Sequence, residues 1–216
     1  MSTKQKDNYL ILLDGTAYLY RAFHALPPLT NKKGENTGAI HGFLKALNKI
    51  LEDFSPEHIG IVFDAKGKNF RHKIYSEYKA NRSKMPDELS EQIPKLYEIL
   101  DLLGFPPIIV EGVEADDVIG TLSNKYKKNK NIKIFSGDKD FAQLVDSNVV
   151  IINPVSLDIM DERAVKKKFD IEAKNIIDYL ALVGDKSDNI PGIPGVGAKT
   201  ASRLINQFGN IEKIIS

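Results

Sequence analysis

Hydrophobic residues along the chain follow two alternating patterns. Short runs that are apolar at nearly every position read as strands buried on both faces: LILLD at 10–14, IGIVFD at 59–64, PIIVE at 107–111, IKIFSGD at 132–138 and VVIINP at 149–154. Between them lie stretches with the 3-and-4 spacing of helices. Ile40, Phe43, Leu44, Leu47, Ile50, Leu51 and Phe54 form one, Leu89, Ile93, Leu96, Leu100 and Leu103 a second, and Val118, Ile119, Leu122 and Tyr126 a third. Strands alternating with helices predict an α/β fold with a mainly parallel central sheet and flanking helices. After about residue 160 the strand signal stops. Helical patterns follow near 161–169, 173–183 and 198–208, the last two separated by the Gly/Pro-rich GIPGVG. The expected organisation is therefore an α/β domain over 1–160 and a helical region over 161–216. There is no internal repeat, and the lysine-rich KYKKNKN at 125–131 reads as a solvated loop.

Composition narrows the chemistry. The 216 residues are 42% hydrophobic, enough for a core, and the longest early apolar run, YLILL at 9–13, is far too short to span a membrane. The N-terminal MSTKQKDNYL lacks the features of a secretory signal, so a cytoplasmic protein is expected. With no cysteine, disulfides, thiolate metal sites and cysteine nucleophiles are excluded. Net charge is only +1, but its distribution is uneven. Lys66–Lys84 carries seven Lys or Arg against one acid, whereas Glu111, Glu114, Asp116 and Asp117 crowd four carboxylates into seven positions. A basic stripe beside an acidic knot suits a polyanion held on one surface while a cation-loaded site acts on it.

One or two acids in a helix's first turn only complement its dipole; four exceed that need and call for a counter-ion. Other acids stand at strand ends: Asp14 after LILLD, Asp64 after IGIVFD, Asp138 after IKIFSG, with Asp140 two residues on. The carboxyl ends of parallel strands share one edge, and the helix opened by Glu114, Asp116 and Asp117 starts there too. Oxygen donors without cysteine, and with four scattered histidines, suit Mg²⁺ or Mn²⁺ better than zinc. Asp185 and Asp188 in GDKSDN could share one face of a helical turn and complete a second cation site. From local sequence, turn-forming acids near a helix end explain that pair equally well.

PGIPGVGAKT at 191–200 offers Gly192, Gly195 and Gly197, whose backbone N–H groups can approach an anion at a helix N-terminus, with Lys199 in reach. Such a hairpin grips nucleic-acid backbone without reading bases. In the basic stretch Arg71, Tyr75, Tyr78, Lys79 and Arg82 recur at helical spacing; Lys79 and Arg82 could clamp one phosphate and Tyr78 could stack on a terminal base. A solvated helix face accounts for the same spacing equally well. Lacking a strong apolar stripe, segment 65–88 is expected to become ordered on its substrate.

Together LLDGTAYLYRAFHALPPLTN, TGAIHGFL, VFDAKGKNFRHKIYSEYKANR, MPDELSEQIP, VEADDVIGTL, SGDKDFAQLV and GDKSDNIPGIPGVGAKTA resemble the 5′-nuclease superfamily of flap endonucleases. The resemblance is greatest to the N-terminal 5′–3′ exonuclease domain of bacterial DNA polymerase I, and it covers nearly the whole chain in family order. It implies a PIN-like or resolvase-like α/β domain, a helical arch over about 65–88 and a C-terminal helix–hairpin–helix module. It implies Asp14, Asp64, Asp116 and Asp138 as ligands of a first metal, supported by Glu114 and Asp117, and Asp140, Asp185 and Asp188 as the second site. Lys79 and Arg82 resemble the arch residues that engage the scissile phosphate, Tyr78 the stacking aromatic and Arg21 a further phosphate contact; Lys199 and Thr200 fall in the DNA-holding hairpin, where the family places a K⁺ ion.

By the same resemblance the activity is structure-specific 5′–3′ exonuclease and flap endonuclease hydrolysis with two Mg²⁺ ions, for which Mn²⁺ can substitute. Its substrates are DNA with a 5′ flap or free 5′ end and RNA–DNA primer junctions, in replication and repair. Apart from the resemblance, a monomer is expected, with no membrane involved. Members continue past the hairpin, so a chain stopping at IEKIIS reads as a fragment, with a polymerase domain a candidate partner in the full-length chain. Two rivals remain. A PIN-type ribonuclease also gathers acids at a sheet edge but lacks the hairpin and basic segment; a non-catalytic DNA-junction binder would not need the acids.

Overall fold

The computed structural model describes residues 9–216. They form two compact units. One contains the described residues up to Lys66 together with Lys84–Ser136, the other Gly67–Ser83 together with Gly137–Ser216.

In the first unit, β1 (Tyr9–Asp14), β2 (His58–Phe63), β3 (Ile108–Ile109) and β4 (Asn131–Phe135) lie in the order β3-β2-β1-β4, every neighbouring pair parallel. Leu12 sits opposite Gly60 on one side and Ile134 on the other. Ile11, Leu12, Leu13, Ile61, Val62, Ile134 and Phe135 are buried, which is why these strands read as unbroken apolar runs. Four helices flank them: α1 (Gly15–Ala25), α2 (Gly38–Phe54), α3 (Ile93–Leu102) and α4 (Ala115–Tyr126). The core joins Phe43 to Phe63 (centroids 5.8 Å apart), Phe63 to Tyr97 (4.8 Å) and Phe54 to Phe135 (5.1 Å). A Cβ on Gly42 would lie 2.9 Å from that of Ala22, so the glycine sets how closely α2 packs on α1.

The structure departs from the sequence pattern in three places here. Helix α1 was not anticipated; Asp14 caps it, its Oδ1 accepting from Ala17 N–H at 3.0 Å. PIIVE pairs only through Ile108 and Ile109. The apolar stripe from Leu89 to Leu103 divides into a single turn, Asp87–Ser90, and α3, whose first turn holds Pro94. At that division the buried Gln92 side chain caps α2: its Oε1 accepts from Ala39 and Ile40 N–H at 3.0 and 3.3 Å, while its Nε2 donates to the Glu88 carbonyl at 2.8 Å.

In the second unit, β5 (Val149–Ile152) pairs antiparallel with β6 (Ile159–Met160), a partner the sequence pattern did not reveal. Helices α5 (Glu162–Phe169), α6 (Ile176–Val183), α7 (Ala198–Phe208) and α8 (Ile211–Ile215) follow. Val165, Ile171, Ile176, Leu182, Ala201 and Ile205 form their common core. The buried Ser202 hydroxyl donates to the Phe169 carbonyl at 2.7 Å, tying α7 to the end of α5. Between α6 and α7, β7 (Gly184–Asp185) and β8 (Ile190–Pro191) form a two-residue antiparallel ladder.

Candidate active site and nucleic-acid interface

The first unit brings together one set of carboxylates at the carboxyl end of its strands. Asp14 is buried at the end of β1, its Oδ2 accepting from the buried Ser136 hydroxyl at 2.9 Å. Asp64 follows β2; its Oδ1 accepts from Ala115 N–H at 2.8 Å, and its own N–H donates to Thr16 Oγ1 at 2.9 Å. The bond to Ala115 ties the end of β2 to the first turn of α4. There Glu114 and Asp117 form a reciprocal capping box, Glu114 N–H donating to Asp117 Oδ2 at 2.9 Å, and Asp116 stands exposed. Asp14 and Asp64 thus stand at the ends of the adjacent strands β1 and β2, and Asp64 is tied to the first turn of α4, which carries Glu114, Asp116 and Asp117. Desolvation, helped by the Asp64 carboxylate, pushes the neighbouring Tyr97 phenol up to about 12. Arg21 is half-buried on α1, where its charge partly offsets the rise that burial produces in the Tyr18 phenol.

The second unit holds the other set. Asp138 caps the following 3₁₀ turn, Lys139–Leu144, by accepting from Asp140 N–H at 2.8 Å. Asp140 Oδ1 is buried and has no hydrogen-bond partner. Burial, then the Asp138 and Asp185 carboxylates, push Asp140 up to about 6, with Lys139 opposing. For Asp185, burial acts upward, but the Ser187 hydroxyl and N–H, the Lys139 ammonium and the Asp188 N–H together hold its carboxyl below the usual range. Lys139 Nζ lies 3.3 Å from Asp185 Oδ2; burial alone would lower its pKa, and Asp185, Asp140 and Asp138 raise it instead.

Asp185 and Asp188 do not share a helical face. Asp185 ends β7 and Asp188 lies in the turn to β8, where Ser187 N–H and Asp188 N–H both donate to Asp185 Oδ1, at 2.7 and 3.3 Å. Among the described residues no group of three or more His, Asp or Glu side chains stands arranged to hold a metal ion. Asp14, Asp64, Asp117, Asp138, Asp185 and Asp188 each accept a hydrogen bond from the protein, whereas the buried Asp140 Oδ1 has none.

The basic segment is not one helix. Only Arg71–Ile74 makes a helical turn, because Tyr75 is extended (φ −138°) and Lys79 adopts the left-handed region (φ +55°). Nor does Tyr78 offer an open ring for stacking. It is 4% exposed, with His72 edge-on at 5.4 Å and Lys79 Nζ 4.9 Å from its centroid, and its hydroxyl donates to Asp188 Oδ2 at 2.9 Å. Lys79 and Arg82 do converge, but on that same carboxylate, 3.7 and 2.5 Å away.

In the hairpin before α7 the glycines have different work. A Cβ on Gly192 would lie 2.3 Å from the Val183 carbonyl carbon and oxygen, so this glycine lets two backbones cross rather than exposing an N–H to an anion. Gly195 (φ +81°) and Gly197 have nothing within 4 Å of a Cβ position. Gly197 is the N-cap of α7, whose first turn contains Ala198, the exposed Lys199 and the half-buried Thr200 and leaves its N–H groups without intrahelical partners.

Spacing alone missed Lys139, Ser136 and Thr16. Lys139 was detectable as the one cation between two of the acids, in GDKD; Ser136 and Thr16 carry no signal beyond lying beside an acid-bearing strand end.

Residues 9–170 match the 5′-3′ exonuclease N-terminal resolvase-like domain, and 171–216 match the 5′-3′ exonuclease C-terminal SAM fold. The chain is 48% identical over 207 residues to a 5′-3′ exonuclease of Aquifex aeolicus, covering 95% of this chain and 72% of that one. It is 49% identical over 201 residues to DNA polymerase I of Pseudomonas aeruginosa, covering 93% of this chain but only 22% of the relative. Its fold is similar to that of the bacteriophage T5 D15 flap endonuclease in a pseudo-enzyme-product complex with DNA and metal ions, with a TM-score of 0.78, 25% identity, and coverage of 96% of this chain and 78% of that one. With both consecutive domains matched in order and an exonuclease relative at nearly half identity over most of its length, the chain belongs to the 5′-3′ exonuclease family and is an enzyme of that class.

Proposed function

We propose that the protein is a metal-dependent, structure-specific nuclease. It binds DNA bearing a 5′ flap or free 5′ end, or an RNA primer annealed to DNA, and hydrolyses a phosphodiester near the junction. The observation that carries this reading is the Asp140 oxygen, buried without a partner beside Asp138 and Asp185, two residues along the chain from one and pushed upward by both. A buried, unpaired carboxylate oxygen among like charges is costly unless a cation takes it.

The donor set consists of hard oxygens: Asp138, Asp140, Asp185 and Asp188 on the second unit, and Asp14, Asp64 and Asp116, with Glu114 and Asp117, on the first. It fits Mg²⁺, with Mn²⁺ a substitute. Two such cations, when bound, supply charge neutralisation and water activation for phosphodiester hydrolysis.

The chain's own groups position the substrate. Lys79 and Arg82, both paired with Asp188 in this structure, are the cations that would turn to the phosphate, and Arg82's planar fork can engage two of its oxygens. Arg21 is a further phosphate contact. Gly195, Gly197, Lys199, Thr200 and the α7 N-terminus receive a backbone phosphate without reading sequence, and K⁺ can bridge there. Water adds to phosphorus as the bond to the 3′ oxygen breaks and that oxygen takes a proton, leaving 5′-phosphate and 3′-hydroxyl ends. The role is removal of RNA primers and flaps in replication and repair, in the cytoplasm, by a monomer, with a polymerase domain as the natural partner in a longer chain.

A 5′-labelled flap duplex with Mg²⁺ tests this directly. Cleavage near the junction should disappear with EDTA and in Asp116→Ala and Asp140→Ala. Flap binding without cleavage, unchanged in both variants, would instead leave a junction-binding module, and preferential cutting of single-stranded RNA would point to a ribonuclease.

A further inference from the structure

Asp188 is engaged by three side chains of a single distant segment. Its Oδ1 receives Arg82 Nη2 at 2.5 Å; its Oδ2 receives the Tyr78 hydroxyl at 2.9 Å and faces Lys79 Nζ at 3.7 Å. The backbone around it is engaged as well. Lys79 N–H donates to the Asp188 carbonyl (2.9 Å), Asn81 Nδ2 to the Lys186 carbonyl (2.8 Å), and Asn189 Nδ2 to the Glu77 carbonyl (2.7 Å). Segment 75–82 is thus sewn to the turn 185–190 from both sides.

Two features show that this is a held conformation rather than a casual contact. Lys79 is a non-glycine residue at φ +55°, a conformation that persists only where its surroundings enforce it. The bond that enforces it is its own N–H to Asp188. Tyr78, moreover, buries its ring in the same place, so the segment cannot lift without exposing it.

We propose that Asp188 is an internal counter-anion that latches segment 75–82 shut: it occupies Lys79, Arg82 and the Tyr78 hydroxyl together, so these groups reach another partner only when that carboxylate is displaced. A carboxylate offers about four acceptor positions, and three donors already point at this one. A phosphate competes for the two cations and would undo their two contacts, whereas a cation competes for the carboxylate and would undo all three. Asp188 is therefore a positioning residue whose effect on any bound anion passes through Lys79 and Arg82.

The latch is tested without relying on nuclease activity. Trypsin cuts after Lys79 and Arg82, and a latched segment presents neither bond. In EDTA, with fragments followed by mass spectrometry, Asp188→Asn should raise cleavage after Lys79 and Arg82 roughly tenfold, as expected for loss of charge-assisted bonds. Cleavage after Lys128 should not change. Tyr78→Phe keeps the ring and removes one donor, so it should raise the same two cuts by about threefold; it also covers the case in which Asp188→Asn fails to fold. Equal rates at Lys79 and Arg82 in wild type, Asp188→Asn and Tyr78→Phe, with melting temperatures alike, would overturn the latch. If the tryptic contrast holds while wild type cuts no flap duplex in Mg²⁺, the latch stands and the nuclease reading falls.

Discussion

Replacing Asp140 by asparagine should make the protein more stable while abolishing its chemistry. The carboxylate keeps one oxygen buried and unpartnered, and burial with the Asp138 and Asp185 charges lifts its pKa from 3.8 to about 6. A folded-state pKa raised above the unfolded value means the native state binds the proton more readily, so this group costs stability as pH rises from about 4 through about 6, and the full cost persists above that. A shift of about two units corresponds to an upper bound of about 3 kcal/mol. Partial solvent access reduces this to roughly 1–2 kcal/mol. For a chain of this size that is about 3–6 °C in melting temperature.

The assay is thermal unfolding in EDTA of wild type and Asp140→Asn at pH 7.5 and pH 4.5. The variant should melt higher at pH 7.5, and the gap should close at pH 4.5, where the wild-type carboxyl is itself protonated. Adding Mg²⁺ should raise the wild-type melting temperature and move the variant less, since a ligand stabilises only the form that binds it. A variant less stable than wild type at pH 7.5, or a gap that does not depend on pH, would refute the reasoning.

Other outcomes follow from single contacts. Gln92→Leu should cost about 2–4 kcal/mol in urea unfolding, because it orphans the buried N–H groups of Ala39 and Ile40 at the start of α2. Ser136→Ala should cost about 1–2 kcal/mol by the same measurement and lower cleavage activity, since the hydroxyl holds the Asp14 carboxylate that it faces at 2.9 Å. Gly192→Ala should destabilise by about 3 kcal/mol, its Cβ being driven to 2.3 Å from the Val183 carbonyl, with no flexible side chain to yield. Gly197→Ala has open space and an extended backbone, so its stability should stay within about 0.5 kcal/mol of wild type. Its affinity for a flap duplex should nonetheless fall, as read by fluorescence anisotropy in EDTA.

Particular residues show where the sequence was legible. LILLD and IGIVFD announced β1 and β2 because both faces of a parallel strand are covered and nearly every position must be apolar. Their terminal acids were readable for a related reason: parallel strands deliver their carboxyl ends to one edge, and the Ala115-to-Asp64 bond ties the end of β2 to the first turn of α4 there. Helix α1 was hidden because GTAYLYRAFHA mixes small, aromatic and basic residues without a clean stripe; only packing on α2 through Ala22 and Gly42 gives it a buried face. The antiparallel pairing of β5 was unreadable for another reason. An apolar run states that a strand is buried, not which way its neighbour runs.

The acids at the strand ends, the parallel sheet, the hairpin glycines and the family itself were determined by the sequence, since each rests on local periodicity or on short fixed spacings. What the tertiary structure decided is the state of those groups. Tyr78 and Arg82 lie more than a hundred residues from Asp188, and no local spacing can say that they meet on its carboxylate, that a left-handed Lys79 breaks the helix their periodicity implied, or that Gly192 serves a backbone crossing. Burial and charge pairing depend on what the rest of the chain brings alongside, so the partners of the catalytic candidates had to be seen in the folded molecule.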